Sequence, residues 1–277
     1  MSETYGPGLH PDIEELTYHA LPGLSSTGVK AILESPAKFR YAQDHPSPPK
    51  KVFDLGHAVH EMVLGVGMGL VVVDAEEWRT KAVKDEVAAI RAEGKVPVKP
   101  SEYAQAKAMV ESLLAHGDAR TFLEAPGRRE LSALADYQHE TGTVRLRGRF
   151  DLLLDGGVLG DVKTSRTADP RYLPRHAAGL GWHTQAADYR IIARLLGLGD
   201  LPFVHLVVET TPPYLPAVYR LDRHALDTGD DEARRAIDIY QRCLVTGTWP
   251  GYPSGLIPLG LPRYYAADPD LYEEYAS

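Results

Sequence analysis

Residues 148–165 read GRFDLLLDGGVLGDVKTS. Two apolar runs, at 152–154 and 158–160, flank the turn Asp155-Gly156-Gly157, which is the pattern of a β-hairpin. With a three-residue loop Leu154 faces Val158, and counting outward places Asp151 opposite Asp161. Directly opposed side chains lie about 4.5–5.5 Å apart at Cβ, so two carboxylates there repel unless something positive stands between them. Lys163 is two residues beyond Asp161 and shares its face of the strand. A two-residue turn would slip this register by one and separate the acids.

An isolated D-x9-D-x-K is ordinarily a solvated hairpin. Here the flanking LLL and VLG imply a strand pair buried on both faces, where charges need partners. A hard divalent cation is the simplest partner for aspartates, and oxygen donors favour Mg²⁺ or Mn²⁺ over zinc.

Outward from the hairpin, ELSALADY (130–137) and TVRLRGRFDLLL (143–154) alternate as strands. A helix is expected from about 182 to 196, then the strands FVHLVVET and AVYRL, then a helix from about 230 to 246. Before residue 126 the periods are helical. LSSTGVKAILESPAKFRYA (24–42) reads as two short helices split at Ser35-Pro36, with Ser25 or Ser26 as the first cap and Val29, Ile32 and Leu33 as its stripe. The proline-rich HPSPPKK (45–51) resembles a linker. VFDLGHAVHEMVLG (52–65) sets Phe53, Ala58 and Met62 at near-helical spacing. Further helices are expected over 81–94 and 101–117, the latter capped by Ser101 with Tyr103, Ala106, Val110, Leu113 and Leu114 on one face. These helices would wall the site, and Trp78, Arg79, Lys81 and Lys84 could line a path for a polyanion by stacking and charge contact or form an ordinary packed and solvated face. The whole describes an α+β chain with a mixed central sheet flanked by helices and an N-terminal helical region: a single domain over 1–277, mainly helical over 1–125, with the sheet core in 126–277.

Composition narrows the class. No apolar run reaches the roughly 18–20 residues of a membrane span, and the start MSETYGPGLHPDIEE lacks the basic and apolar stretches of a secretory signal. The single cysteine, Cys243, excludes an internal disulfide, a cysteine-ligated cluster and a cysteine-rich zinc site, and points to a reducing cytoplasm. The net charge of −8 argues against coating nucleic acid by bulk electrostatics, though not against a local basic groove beside an acidic metal site. His57, His60 and Glu61 form H-x-x-H-E, which is neither H-E-x-x-H nor H-x-x-E-H, and no third zinc ligand stands out.

GRFDLLLDGGVLGDVKTS resembles the core of the PD-(D/E)XK nuclease superfamily, with Asp151 as the first acid and Asp161-Val162-Lys163 as the (D/E)-x-K element. Gln185 and Tyr189, at i and i+4, match the Q-x-x-x-Y helix of its RecB-type branch, and LGHAVHEMVLG (55–65) its histidine helix. GLSSTGVKAILESPAKFRYA (23–42) and WPGYPSGLIPLGLPRYY (249–265) resemble the phage exonuclease VIII (RecE-type) group. The resemblance implies a restriction-endonuclease-like core in which His60, Asp151, Asp161, the Val162 carbonyl and Glu130 hold metal. His57 is the other histidine candidate. Lys163 would orient or deprotonate the attacking water and stabilise the transition state, and Gln185 and Tyr189 would steady the site and the DNA backbone. It also implies a Mg²⁺-dependent exonuclease, with Mn²⁺ substituting, in the cytoplasm of a phage or prophage host. Such an enzyme resects linear double-stranded DNA 5′→3′ to leave 3′ single strands for a single-strand annealing recombinase, as a homo-oligomeric ring. The alternatives are a structure-specific or restriction-like endonuclease, and a non-catalytic DNA-end binder, which the intact Asp151, Asp161 and Lys163 disfavour.

Overall fold

The computed structural model describes residues 5–45, 55–67 and 69–260. The proline-rich stretch beyond His45, Phe53, and the end of the C-terminal motif from residue 261 lie outside the described residues. In chain order the elements are β1 (Gly8–His10), α1 (Glu15–Ala20), β2 (Leu24–Ser25), α2 (Ser26–Glu34), α3 (Pro36–Asp44) and α4 (Leu55–Leu64). Then come β3 (Leu70–Val72), α5 (Lys81–Ala92), β4 (Val96–Val98), α6 (Pro100–Ala115) and α7 (Gly117–Glu124). The remainder is β5 (Gly127–His139), β6 (Gly142–Leu154), β7 (Val158–Ser165), α8 (Leu173–Gly179), α9 (Trp182–Leu195), β8 (Phe203–Glu209), β9 (Pro216–Arg220) and α10 (Arg223–Thr246).

A mixed sheet runs β1-β5-β6-β7-β8-β9, with β2 added parallel to β6. β7 and β8 are parallel, as their connection through α8 and α9 requires, and the other neighbours on this path are antiparallel. One face carries a core in which α2, α3, α9 and α10 cover Val144, Leu146, Phe150, Leu159 and Phe203. The other face carries a second core in which α4, α6 and α7 cover Leu152, Leu154, Val162 and Leu206. This is the expected α+β arrangement of a mixed sheet between helices.

The first 125 residues are less purely helical than their periodicity suggests. β1 and β2 join the central sheet and β3 pairs with β4, but strands of two or three residues are too short to show alternation. What holds this segment down is a row of arginines on β6. Arg145 donates to the carbonyl of Tyr5, Arg147 to those of Tyr18 and Gly23, and Arg149 to that of Ile13. Their spacing of two puts them on one face, and backbone acceptors with no strand partner take their protons.

Three helix details differ from expectation. Ser101 does not cap α6: Pro100 opens it, the Lys99 N–H donates to Glu102 at 2.9 Å, and Ser101 binds Glu76 through its N–H and hydroxyl. The buried stripe of α6 is Ala106, Met109 and Leu113, whereas Tyr103 and Leu114 are exposed. α10 starts seven residues early because Asp222 caps it, accepting from the Ala225 N–H at 2.8 Å. Gly229 resembles a breaker in sequence, but it sits where α10 crosses α9: a Cβ there would stand 2.4 Å from the His183 carbonyl oxygen. Gly229→Ala should therefore lower stability by about 1–3 kcal/mol through overpacking, seen as a lower Tm by calorimetry; an unchanged Tm would show that the two helices can part freely.

Candidate active site

The β6–β7 hairpin has the register counted from its loop: Leu154 pairs with Val158, Leu153 with Leu159 and Leu152 with Gly160. Beyond that pair the ladder stops, at the point where Asp151 would meet Asp161. Asp151 fills the gap itself, its Oδ2 accepting the Val162 N–H at 2.8 Å. A backbone donor that would otherwise be orphaned in the core is thereby satisfied by a carboxylate.

The same place marks a change of phase in β6. Val144, Leu146 and Phe150 face the first core, but Leu152 and Leu154 face the second. Across from the change, between the pairs Arg129–Leu152 and Leu131–Phe150, Glu130 has φ of +49°. That left-handed residue, unusual for a side chain other than glycine, interrupts the pleat and turns both carboxylates out of the alternating pattern.

His60 comes from α4, whose Ala58, Val59 and Leu64 are packed in the second core. Its Nδ1 lies 3.6 Å from Asp151 Oδ2 and 3.9 Å from Glu130 Oε1, and its Nε2–H donates to the Val162 carbonyl at 2.5 Å. His60, Glu130 and Asp151 each offer a ligand atom within 4.8 Å of the others, the separation a metal ion can bridge. Glu130 is held by Arg149 at 2.7 Å. His57 is exposed, 3.9 Å from Glu15 of α1, and is not part of this group.

Asp161 belongs to an adjoining set. It is 1% exposed, ion-paired to Lys163 at 2.7 Å, and accepts from the Gln185 side chain of α9 at 2.8 Å. The structure thus brings all the expected residues together but divides them: Asp161 faces Lys163 and Gln185 rather than the group formed by His60, Glu130 and Asp151, and the Val162 carbonyl is engaged by His60. Tyr189 has two roles at once. Its ring packs against Phe150 and Phe203 in the first core, while its hydroxyl stands 3.5 Å from Gln185 Nε2. Trp78 is half-buried beneath the Arg91 guanidinium at 5.7 Å and Arg79 is paired with Glu77 at 2.9 Å, whereas Lys81 and Lys84 are exposed.

Burial raises the Asp151 carboxyl to about 7, and the neighbouring Asp161 charge adds to the effect. Burial would lower His60, but Asp151, Glu130 and Asp161 outweigh it and raise the imidazole to about 9. For Asp161, burial opposes ionisation but Lys163 and its other neighbours win, so its pKa falls; Lys163 rises, its own burial overcome by Asp161 and Asp151. The site therefore holds an ammonium–carboxylate pair beside a second carboxylate lacking full compensation.

Sequence reasoning missed three neighbours. Arg149 was visible only as the last of three arginines at alternate positions. Lys30 of α2 donates to the Leu180 carbonyl at 3.1 Å and feels the charges of Lys163 and Asp161. His205 stands opposite Asp161 on β8, 1% exposed, stacked on Trp182 at 5.2 Å and pushed down to about 4 by burial, so it is neutral near pH 7.

The profile of a family described as "PDDEXK-like domain of unknown function (DUF3799)" matches residues 25–258. The chain belongs to this family. Its PDDEXK-like domain is also similar to the crystal structure of a candidate exonuclease from Eubacterium rectale, with a TM-score of 0.59 and 12% identity over 92% of this chain and 99% of that one. At that identity the likeness is one of fold. A second structure, that of SSO0001, aligns with a TM-score of 0.36 and 15% identity over 81% of this chain and 80% of that one, and carries no argument. No curated protein matches the chain. The PDDEXK-like domain, its mixed sheet between helices and its acidic metal-capable cluster make this a protein of the PD-(D/E)XK nuclease type. Among the described residues no helix is long and apolar enough to cross a membrane.

Proposed function

We propose that the protein is a Mg²⁺-dependent exonuclease that degrades linear double-stranded DNA from its ends, 5′→3′, and leaves 3′ single strands for recombination through an annealing partner. The observation that carries the reading is the convergence of His60, Glu130 and Asp151 within 4.8 Å beside the Asp161–Lys163–Gln185 set. The donors fit a divalent cation: two carboxylate oxygens, one imidazole nitrogen, and a buried Asp151 whose charge the protein compensates only in part. His60, Glu130 and Asp151 would hold the ion, beside Asp161 paired with Lys163 and the Val162 carbonyl that accepts from His60.

When bound, the ion supplies Lewis acidity at the scissile phosphodiester and at the attacking water. Lys163, charged through its pairing with Asp161, stabilises the negative charge that builds on the phosphoryl oxygens; of the two roles expected for it, charge stabilisation suits an ion-paired ammonium and proton removal does not. Gln185 fixes Asp161, Tyr189 braces Gln185 from the core, and Arg149 fixes Glu130.

The test is digestion of linear duplex DNA labelled at either 5′ or 3′ ends, alongside covalently closed circles. Release of the 5′ label with Mg²⁺, none with EDTA, and intact circles are expected. Cut circles would replace the exonuclease with an endonuclease. No hydrolysis of any substrate with Mg²⁺ or Mn²⁺ would leave only an end-binding protein.

A further inference from the structure

β7 runs past the site and ends at an open cavity of about 510 Å³, lined among others by Arg166, Thr167, Tyr172, Arg175, His176 and Leu180. Its volume lies in the usual range for small-ligand sites, about 300–1,000 Å³. Its near wall, Arg166, follows Lys163 by three residues, which at about 3.3 Å per residue is roughly 10 Å along the chain. Its far wall, Leu180, is tied to Lys30, which is itself within electrostatic reach of Lys163 and Asp161. The cavity thus adjoins the end of the strand that carries Asp161 and Lys163.

Its chemistry is specific. Arg166 and Arg175 are exposed, and among the described residues neither has an ion-pair partner, whereas Arg171 between them is bound to Asp169. Two uncompensated guanidiniums about one cavity, on a chain of net charge −8, mark a place kept for anions. Tyr172 adds what a simple anion does not need: an aromatic ring 63% exposed, with the Arg171 guanidinium 5.4 Å from its centroid. An exposed ring is an unfavourable thing to leave in water, and beside paired phosphate donors it serves as a stacking platform for a base.

We propose that this cavity binds single-stranded DNA next to the cleavage position, with Arg166 and Arg175 on backbone phosphates and Tyr172 against a base. The proposal rests on the nuclease reading for the identity of the strand, but its test does not. Binding of a short fluorescein-labelled oligothymidylate, and of an abasic oligomer of the same length, is measured by anisotropy in EDTA over a range of salt. For wild type the oligothymidylate should bind more tightly than the abasic strand. The double variant Arg166→Ala/Arg175→Ala should bind both about tenfold or more weakly, and its log–log salt slope should fall by about 1.4, or about 0.7 for each lost contact to a single strand. Tyr172→Ala should lose roughly five- to hundredfold on oligothymidylate only, with the slope unchanged. All three side chains lie at the surface, so the fold survives their removal.

Variants that bind both strands as wild type does, with the same salt slope, would overturn the proposal whether or not the protein cuts DNA. Loss on the arginine variant with no preference for bases over the abasic strand would reduce the cavity to a plain anion site and equally overturn it. A wild type that shows the full binding pattern but never hydrolyses duplex DNA would uphold the cavity and remove the nuclease reading.

Discussion

Asp151→Asn is expected to lower DNA hydrolysis by about a thousandfold or more, since several kcal/mol of transition-state stabilisation depend on a filled metal site. The same substitution should make the metal-free protein more stable above pH 7. Asp151 is buried, and its carboxyl is raised from 3.8 to about 7 by burial and by Asp161. The native state thus holds its proton more tightly than the unfolded chain, and stability is lost as pH rises between about 4 and 7. Asparagine keeps an acceptor for the Val162 N–H and removes the charge. At 1.36 kcal/mol per pH unit the full difference approaches about 4 kcal/mol, the attraction of His60 already included, and it is reached once the pH passes 7. Melts in EDTA should show an advantage of the variant that is partial at pH 5 and larger at pH 8. Asp161→Asn should abolish activity too, but with the opposite sign in stability, because it strips Lys163 of its ion pair 2.7 Å away and leaves a largely buried ammonium, at a cost of about 1–3 kcal/mol. If the two variants shift Tm in the same direction at pH 8, the division of charge between the two halves of the site is wrong.

That division was only half legible in the sequence. The hairpin register follows from a loop of three residues and nearest-neighbour pairing, both local, so Leu154 opposite Val158 could be counted. Lys163 on the face of Asp161 follows from the pleat alone. What could not be counted is the slip of phase at Asp151. Alternation carried through β6 puts Phe150 and Leu152 on one face, yet they pack into different cores because Glu130 adopts a left-handed conformation that its residue type does not signal. The consequence is functional: that slip aims Glu130 and Asp151 at His60 and leaves Asp161 to Lys163. The choice of His60 over His57 was likewise beyond periodicity. Both lie on α4, and only the packing of Ala58 and Val59 against the second core decides which histidine turns toward the sheet. β1 and β2 escaped notice because two- and three-residue strands are made by their neighbours, here through the arginines of β6, and not by their own pattern.

The pH dependence of metal binding follows from the same geometry and has the next largest expected effect. To ligate, His60 must be neutral and Asp151 ionised, but in the metal-free protein the first titrates at about 9 and the second at about 7. Below pH 7 the incoming ion displaces both protons, so its association constant should rise about a hundredfold per pH unit. Between 7 and 9 only the His60 proton is displaced, and the rise should be about tenfold per unit. From pH 6 to 9 the affinity for Mn²⁺ should therefore climb by roughly three to four orders of magnitude. Isothermal titration in two buffers of different ionisation enthalpy reads this directly as protons released per ion bound, about two at pH 6 and about one at pH 8. His60→Gln removes one proton from the count at pH 6, while His57→Gln leaves the count alone because His57 lies outside the group of donors. Affinity that is flat from pH 6 to 9, or a proton count that follows His57 instead of His60, would break the link between the His60–Glu130–Asp151 cluster and the metal.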